Sequence, residues 1–414
     1  MGNNLKEIFY KENYGMKILQ LCHKPPMPAR DGGCIAMNNI TQGLLMSGHK
    51  VKVLTIFTAK HDLDLDSLSE EYLNNTRIEG VFVNTEVNMV DAFSSYITSD
   101  SYNVTRFFSV DFDIRLTSIL KREQFDVVHL ESLFMTPYVS TIKRYTQTPI
   151  VLRSHNLEFI IWEKIARGTR NPLKRIYLAY LARKLREYEL SAMNHVHGIA
   201  AISDEDRKRY LDLGVKKPIC TVPFGINPDE YQCAEDESEL ALFHLGAMDW
   251  SPNVEGIQWF LDSIWPAIHS KFPALKLYLA GRNMPSEFFN RQDPNVIFLG
   301  DVPDGRAFVR SKKIMIVPLL SAGGIRVKII EGMALGKLVI STSLGADGLN
   351  CKDGEHLMLA DRKEQWLESL EKLLGDAALC DRMSQNARDH IRSNFTIQSV
   401  TSKLVSFYKD LKRS

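Results

Sequence analysis

The stretch SAGGIRVKIIEGMALGK, Ser321–Lys337, decides how the chain reads. It follows KIMIVPL (313–319), a run of aliphatic residues with the composition of a buried strand. A glycine pair after such a strand marks a sharp turn into a helix. Val327, Ile330 and Ala334 recur at helical spacing and are expected to face a sheet. Lys328 and Glu331 stand three residues apart and share another face. Arg326 cannot join that face within one helix, so it is placed in the first turn. Free amides at a helix start, the helix dipole and two cations make an anion site. Glu331 would be repelled by a phosphate, but its carboxylate suits the hydroxyls of an adjacent polyol. A diphosphate beside a ribose is a nucleotide.

Outward from this stretch, short aliphatic runs alternate with helical patterns. MKILQLC (16–22), VKVLTIF (51–57), VVHL (127–130), PIVLRSH (149–155) and GIAAIS (198–203) read as strands of a first unit. The span from Thr58 to about Leu120 is less regular, and Leu157 to Asn194 reads as one long helical region. ICTVPFGI (219–226) leads into the acidic connector NPDEYQCAEDESEL. The pattern then restarts with ALFHLGA (241–247), LKLYLAG (275–281), VIFLG (296–300), KIMIVPL, LVIST (338–342) and HLMLA (356–360). Strand and helix in repetition imply parallel sheets with right-handed crossovers. The expected architecture is α/β, with two doubly wound Rossmann-like domains and ligands at the strand ends.

Bulk properties narrow the function. The chain has 414 residues and a formal net charge of +1. That length allows two or three domains, and the neutral balance argues against a nucleic-acid binder. No apolar run reaches membrane-spanning length. The opening MGNNLKEIFYKENYG lacks the apolar core of a secretory signal, and Lys6 stands where a myristoylation motif wants Ser or Thr. Six cysteines without C-x-x-C spacing read as reduced thiols of a cytoplasmic protein. No H-E-x-x-H and no Cys/His cluster is visible, so neither metal nor resident cofactor is expected.

Three further stretches carry polar chemistry at strand ends. HKPPMPARDGGCIA follows the first strand, and Gly32 and Gly33 would let a backbone approach an anion, with Arg30 and Asp31 beside them. The dinucleotide fingerprint G-x-G-x-x-G is absent. RSHN (153–156) places His155 where an imidazole can bond a sugar hydroxyl or a phosphate, with Asn156 and Glu158 nearby. GAMDWSPN (246–253) offers the Gly246 turn with Asp249 and Asn253, and Trp250 reads as packing.

These motifs together resemble the family 4 glycosyltransferases, retaining enzymes of the GT-B fold. The likeness runs from Met16 to the last helices. DGG, RSHNLE, AISDED and GAMDWSPN carry it, with GGIRVKIIEGMALGKLVIST the specific part. The nearest branch resembles bacterial sugar transferases of surface polysaccharides. The resemblance implies an acceptor-side domain over 16–220, a nucleotide-sugar domain over 241–395, and a helix over 396–414 crossing back to the first, the two domains facing a cleft. It implies Glu331 on the donor ribose, and His155 near the transferred sugar. Gly32 and Gly33 would approach the diphosphate or the acceptor. The donor would be a nucleotide diphosphate sugar, and the acceptor a glycan or a lipid-linked species.

Two departures stand out. The family's usual motif has two glutamates separated by seven residues, and the place of the first, counted back from Glu331, is Gly323; amides of Gly323, Gly324 and Ile325 are expected in its stead. The arginine and lysine of familiar members are replaced by Ala247 and Asn253, so Arg326 and Lys328 are expected to supply the displaced charge. A nucleotide-sugar epimerase or hydrolase, or a non-catalytic sugar-nucleotide binder, are the competing readings. The basic, apolar stretch EKIARGTRNPLKRIYLAYLARKLREYEL (163–190) could lie on an anionic membrane, making the protein peripheral.

Overall fold

The computed structural model of the protein describes residues 15–29, 31–84, 104, 107–169, 171–231, 238–321 and 325–413. Arg30, Gly323 and Gly324 lie outside the described residues. The chain divides into two compact units, one of residues 1–225 with 397–414 and one of residues 226–396.

The first unit is built on a seven-stranded parallel sheet of order β3-β2-β1-β4-β5-β6-β7. Its strands are β1 (Lys17–Cys22), β2 (Lys50–Phe57), β3 (Glu79–Phe82), β4 (Val127–Glu131), β5 (Ile150–Ser154), β6 (Gly198–Ala201) and β7 (Ile219–Thr221). Strand side chains alternate between the two faces of a sheet. Leu19 and Leu21 therefore join one core with Val128, Leu130 and Phe112. Ile18 joins the opposite core with Met37, Val53 and Leu404. Both faces are covered, which is why these strands are continuous aliphatic runs.

The second unit is a six-stranded parallel sheet of order β10-β9-β8-β11-β12-β13. Its strands are β8 (Glu239–Leu245), β9 (Leu277–Ala280), β10 (Val296–Gly300), β11 (Lys312–Val317), β12 (Leu338–Ser341) and β13 (Met358–Leu359). Phe260, Trp265 and Trp366 anchor its core. In both sheets the strand order reverses beside the first strand of the unit, at β1/β4 and at β8/β11. Ligands bind at that switch point in open α/β sheets.

Five helices position the chemistry: α1 (Gly32–Met46), α2 (Glu158–Gly168), α3 (Pro172–His195), α4 (Val327–Ala334) and α5 (Ile397–Arg413). The span read as one helix, 157–194, is α2 and α3. The Asn171 side chain accepts from the amide of Lys174, and Pro172 opens α3, so the chain stops and restarts there. The span read as irregular contains a helix over Glu70–Thr76, the edge strand β3 and a helix over Val110–Arg122. On α4 the buried apolar residues are Ile329, Ile330 and Met333, whereas Val327 and Ala334 are only half-buried. The helix is rotated from the expected face because it packs against β12 and against the helix Ala377–Asn394 as well.

Helix α5 packs on α1 in the first unit, and Gly43 sets how closely. A Cβ at Gly43 would overlap Thr401 Oγ1 and stand 2.8 Å from Ile397 Cγ2. Replacing Gly43 by Val is expected to cost about 1–3 kcal/mol through overpacking. Urea unfolding followed by circular dichroism measures it; an unchanged midpoint would show that α5 sits loosely.

Candidate active site

The second unit holds a cavity of about 510 Å³ lined by residues of β8, β11, α4 and the turn around Pro303–Arg306. Its size is that of a small-molecule site. Lys328 and Glu331 both line it, as their spacing requires. Leu245, Pro303, Val309 and Met315 make an apolar wall. Glu331 Oε1 accepts from the Tyr231 hydroxyl at 2.8 Å, and the Arg306 guanidinium lies 5.0 Å from the Tyr231 ring centre. Burial raises the Glu331 pKa, with Tyr231 and Arg306 opposing that rise.

Lys328 Nζ donates to Asn253 Oδ1 at 3.0 Å and stands 3.4 Å from His244 Nε2. No carboxylate pairs with it among the described residues. Desolvation, and then the neighbouring Arg326, pull its pKa down to about 7. His244 Nδ1–H donates to the Ile316 carbonyl at 3.0 Å, which leaves Nε2 as the acceptor toward Lys328. Burial holds the His244 pKa well below its ordinary value, so the ring is neutral. Asn253 Nδ2 in turn donates to the Ala247 carbonyl at 2.8 Å. Gly246 makes this possible: a Cβ there would stand 2.5 Å from Lys328 Nζ and 2.7 Å from Asn253 Nδ2. Arg326 is buried at the N-cap of α4. Ile325 is half-buried just before it.

The structure therefore brings Gly246, Asn253, Arg326, Lys328 and Glu331 into one neighbourhood. Asp249 is exposed and accepts from Asn283 Nδ2 at 2.9 Å, away from the lining of the cavity. Trp250, read as packing, is exposed. Both belong to the solvent-facing tip of the turn that precedes the helix Ser251–Trp259.

In the first unit the switch point is a buried charge network around Glu131, at the end of β4. Its Oε1 accepts from Gln20 Nε2 at 3.0 Å and from His129 Nε2 at 3.1 Å. Its Oε2 accepts from Arg153 Nη1 at 3.2 Å and from His155 Nε2 at 2.8 Å. Burial pushes the Glu131 carboxyl up, but Arg153 and His129 outweigh it and hold it well below the usual range. Tyr408, on α5, bonds His129 Nδ1 at 2.6 Å.

Desolvation lowers the His155 pKa despite its carboxylate partner, so the ring is neutral near pH 7. With Nε2–H given to Glu131, its Nδ1 is a lone-pair acceptor. His23 lies beside it, with ring centres 5.8 Å apart. Its Nδ1–H donates to the Glu131 carbonyl at 3.0 Å, leaving Nε2 as acceptor. Burial, with His155 and Lys24 adding to it, drives its pKa down to about 3.

Gly32 and Gly33 open α1 behind the N-cap Asp31, which accepts from Cys34 N at 2.9 Å. Lys24 Nζ reaches both Asp31 oxygens at 2.7 Å, and His61 Nε2 stands 3.1 Å from one of them. Burial raises the Asp31 pKa, but these partners outweigh it and hold the carboxyl far below its usual range. Nothing stands within 4 Å of the Cβ position of Gly32, so the turn is open on that side. The amides of Glu158 and Phe159 donate to the buried Glu189 carboxyl group at 3.4 and 3.2 Å, which caps α2, and the Glu158 side chain is hydrogen-bonded with Asn156.

Reading the sequence missed Glu131, His23, Tyr231 and Arg306. The polar residues His129 and Glu131 inside the run VVHLE were a usable signal, since a buried strand tolerates a carboxylate only with partners. The fold brings together a Cys/His group that no local spacing marks: ligand atoms of Cys351, His356 and His390 lie within 4.8 Å of one another. Cys351 and His356 are five positions apart, and the group escaped the sequence because His390 lies 34 positions further on. The two rings stack at 4.4 Å and 25°, the Lys352 amide donates to His356 Nδ1, and His390 Nε2–H donates to the Leu349 carbonyl.

The family described as Glycosyltransferase Family 4 matches residues 32–230, and that described as Glycosyl transferases group 1 matches residues 239–376. A 44.6 kDa protein of the cps region of Klebsiella pneumoniae is 23% identical over 94% of this chain and 98% of its own length. The capsular polysaccharide biosynthesis glycosyltransferase CapM of Staphylococcus aureus is 27% identical over 29% of this chain and 32% of its own. Among solved structures, Anabaena HepE in complex with UDP superposes with a TM-score of 0.64 at 11% identity, covering 95% of this chain and all of that one, 100%. Two parallel α/β units with switch-point sites, matched unit by unit to these two families, identify the chain as a family 4-like glycosyltransferase of the GT-B fold.

Proposed function

We propose that the cavity of the second unit binds a nucleoside diphosphate sugar, whose sugar the enzyme moves with retention to a hydroxyl of a glycan or lipid-linked acceptor. The observation that carries this reading is the buried Arg326 and the half-buried Lys328, the latter without a carboxylate partner among the described residues, at the start of the helix that also carries Glu331. A diphosphate supplies the missing negative charge. Glu331, fixed by Tyr231, is left with an oxygen for the ribose hydroxyls, and the apolar wall suits a planar base. The UDP complex of HepE supports a donor of this class.

In the transfer, the anomeric carbon–oxygen bond to the diphosphate breaks as the acceptor oxygen bonds to the same face. The acceptor's proton passes to the departing phosphate oxygen, and a nucleoside diphosphate leaves. Negative charge grows on that diphosphate, next to Arg326, Lys328 and the first amides of α4. Groups of this kind contribute about 3–4 kcal/mol each to a transition state. In the first unit, the neutral rings of His155 and His23 present acceptor nitrogens suited to sugar hydroxyls. Gly32, Gly33 and Arg30 are the proposed approach for the diphosphate or the acceptor, and Gly323 and Gly324 supply amides where the family has an acid.

Lys328 sets a pH dependence. Free, it is half-protonated near pH 7; a bound diphosphate favours its charged form. UDP binding is therefore expected to take up protons around neutrality. Affinity should fall as pH rises above 7, by up to about tenfold per unit until the bound-state pKa is reached. Calorimetry in buffers of different ionisation enthalpy reads this directly; no proton uptake would remove Lys328 from the diphosphate.

Changing both Arg326→Gln and Lys328→Gln is expected to raise the donor KM and lower kcat, by about a hundredfold or more in kcat/KM. Glu331→Gln should weaken UDP by about tenfold or more, the worth of a hydrogen bond to a charged group. His155→Ala should leave UDP affinity unchanged while transfer falls by about tenfold. Wild-type kinetics in the double variant would overturn the donor assignment.

A further inference from the structure

The α2–α3 pair carries a charge anomaly that the donor site does not use. Residues 160–186 contain eight cations and one carboxylate, Glu163, in a chain whose overall formal charge is +1. Between Pro172 and Arg186 there is no acid. The two helices enclose a cavity of about 340 Å³ lined by Arg167, Arg175, Arg183 and Arg186, with Glu163 the one acid of its lining. Ala166 and Ala179 leave room between the long side chains. Internal neutralisation is slight: Arg167 meets Glu163 at 3.4 Å and Arg183 meets Glu187 at 3.1 Å, both arginines largely exposed. Arg186 lies over the Phe159 ring at 5.6 Å. Side-chain partners for Arg175 are absent among the described residues.

Alongside runs a stripe of exposed apolar side chains. Leu173 is 79% exposed, Ile176 67%, Tyr177 45%, and Ile165 of α2 48%. The buried residues of α3, Leu178, Ala182, Leu185, Glu189, Ala192 and Met193, define its inner face. At 100° per residue, Leu173 and Ile176 fall opposite that face, with Arg183 beside Ile176, and Tyr177 on one flank. Arg175 and Arg186 fall on the other flank. An outward apolar stripe bordered by cations is the build of a helix that lies in a membrane interface. A helix face meant for water would not carry leucine and isoleucine at such exposure in a row. Among the described residues no helix is long and apolar enough to cross a membrane, so contact of this kind would be from one side.

We propose that α2 and α3 dock the protein on an anionic phospholipid surface, with Leu173, Ile176 and Tyr177 entering the interface and the arginine groove taking lipid phosphates. Charge complementarity selects a bilayer over a second copy of this chain, whose same face would be equally basic. The docking places the first unit, with its hydroxyl-reading histidines, against a surface from which a lipid-linked acceptor is reached. It does not depend on the donor reading, because neither helix contributes to the lining of the donor cavity.

Co-sedimentation of the full chain with vesicles at about 0.15 M salt tests it, where screening leaves close contacts in force. Phosphatidylcholine vesicles are expected to leave the protein in solution, and those containing phosphatidylglycerol to carry it down. Each cation near such a surface is worth about fivefold in partitioning. The triple variant Arg175→Gln, Arg183→Gln, Arg186→Gln should therefore lose about a hundredfold. The pair Leu173→Ser, Ile176→Ser should lose about tenfold or more through lost apolar burial. All these side chains are at the surface, and thermal unfolding of each variant serves as the folding control. Equal sedimentation with both vesicle types, none with either, or undiminished binding by the triple variant would overturn the proposal. Displacement from vesicles by pyrophosphate at constant ionic strength would overturn it too, assigning the groove to a soluble phosphate. UDP binding, measured without vesicles, reports on the donor reading separately.

Discussion

A desolvated lysine with no carboxylate partner among the described residues is the constraint on which the second unit turns. Lys328 is held by Asn253 and by a neutral imidazole, His244, neither of which carries negative charge. Burying a cation in this way is unfavourable, and the drop of its pKa to about 7 reports the strain. Arg326, buried on the same turn, adds to it. The fold tolerates the arrangement because the surrounding sheet and core are extensive. The absence of a Cβ at Gly246 also lets Lys328 approach the backbone of β8. An anion of two charges would relieve both cations at once, which is the physical ground for the proposed diphosphate.

The first unit solves the opposite problem. Glu131 is a buried anion, but four side-chain donors, the charged Arg153 guanidinium among them, satisfy it internally. Its network is electrically complete without a ligand, and what it offers outward is uncharged: the acceptor nitrogens of His155 and His23. Removing one member of such a set costs about 3–5 kcal/mol, because the remaining charge is left buried and alone. The same doubly wound topology thus holds a lysine without a carboxylate partner among the described residues at one switch point and a carboxylate whose charge is cancelled at the other.

How much of this was legible follows from distance along the chain. The strands of both sheets announce themselves as aliphatic runs, because both faces are covered. The polar turns at their ends are local too, and Lys328 and Glu331 share a wall through helical spacing alone. The break at Asn171-Pro172 was written locally, as a cap and a ring that opens a helix, but the apolar pattern on either side masked it. Strand β3 is a four-residue edge, EGVF, too short for periodicity to register. Tyr231 could not be found, since it lies 100 residues from the carboxylate it orients and sits in an acidic connector. The side facing inward on α4 was misjudged because a helix packed on both a sheet and another helix buries a wider face than one stripe.

Helix α5 shows why the first site depends on residues read last. Its Tyr408 reaches His129 across 279 positions of sequence. Leu404 and Phe407 join the core beneath β1 and β2, and a Cβ on Gly198 would overlap the Phe407 ring. The helix therefore fills a face of the sheet that residues 1–225 leave open, and it orients the imidazole on the inner side of Glu131. That carboxylate in turn fixes the proton on His155. The tautomer that lets His155 accept a hydroxyl is thereby tied, through three hydrogen bonds, to the end of the chain. A helix that looks from the sequence like an appendage is a structural member of the site.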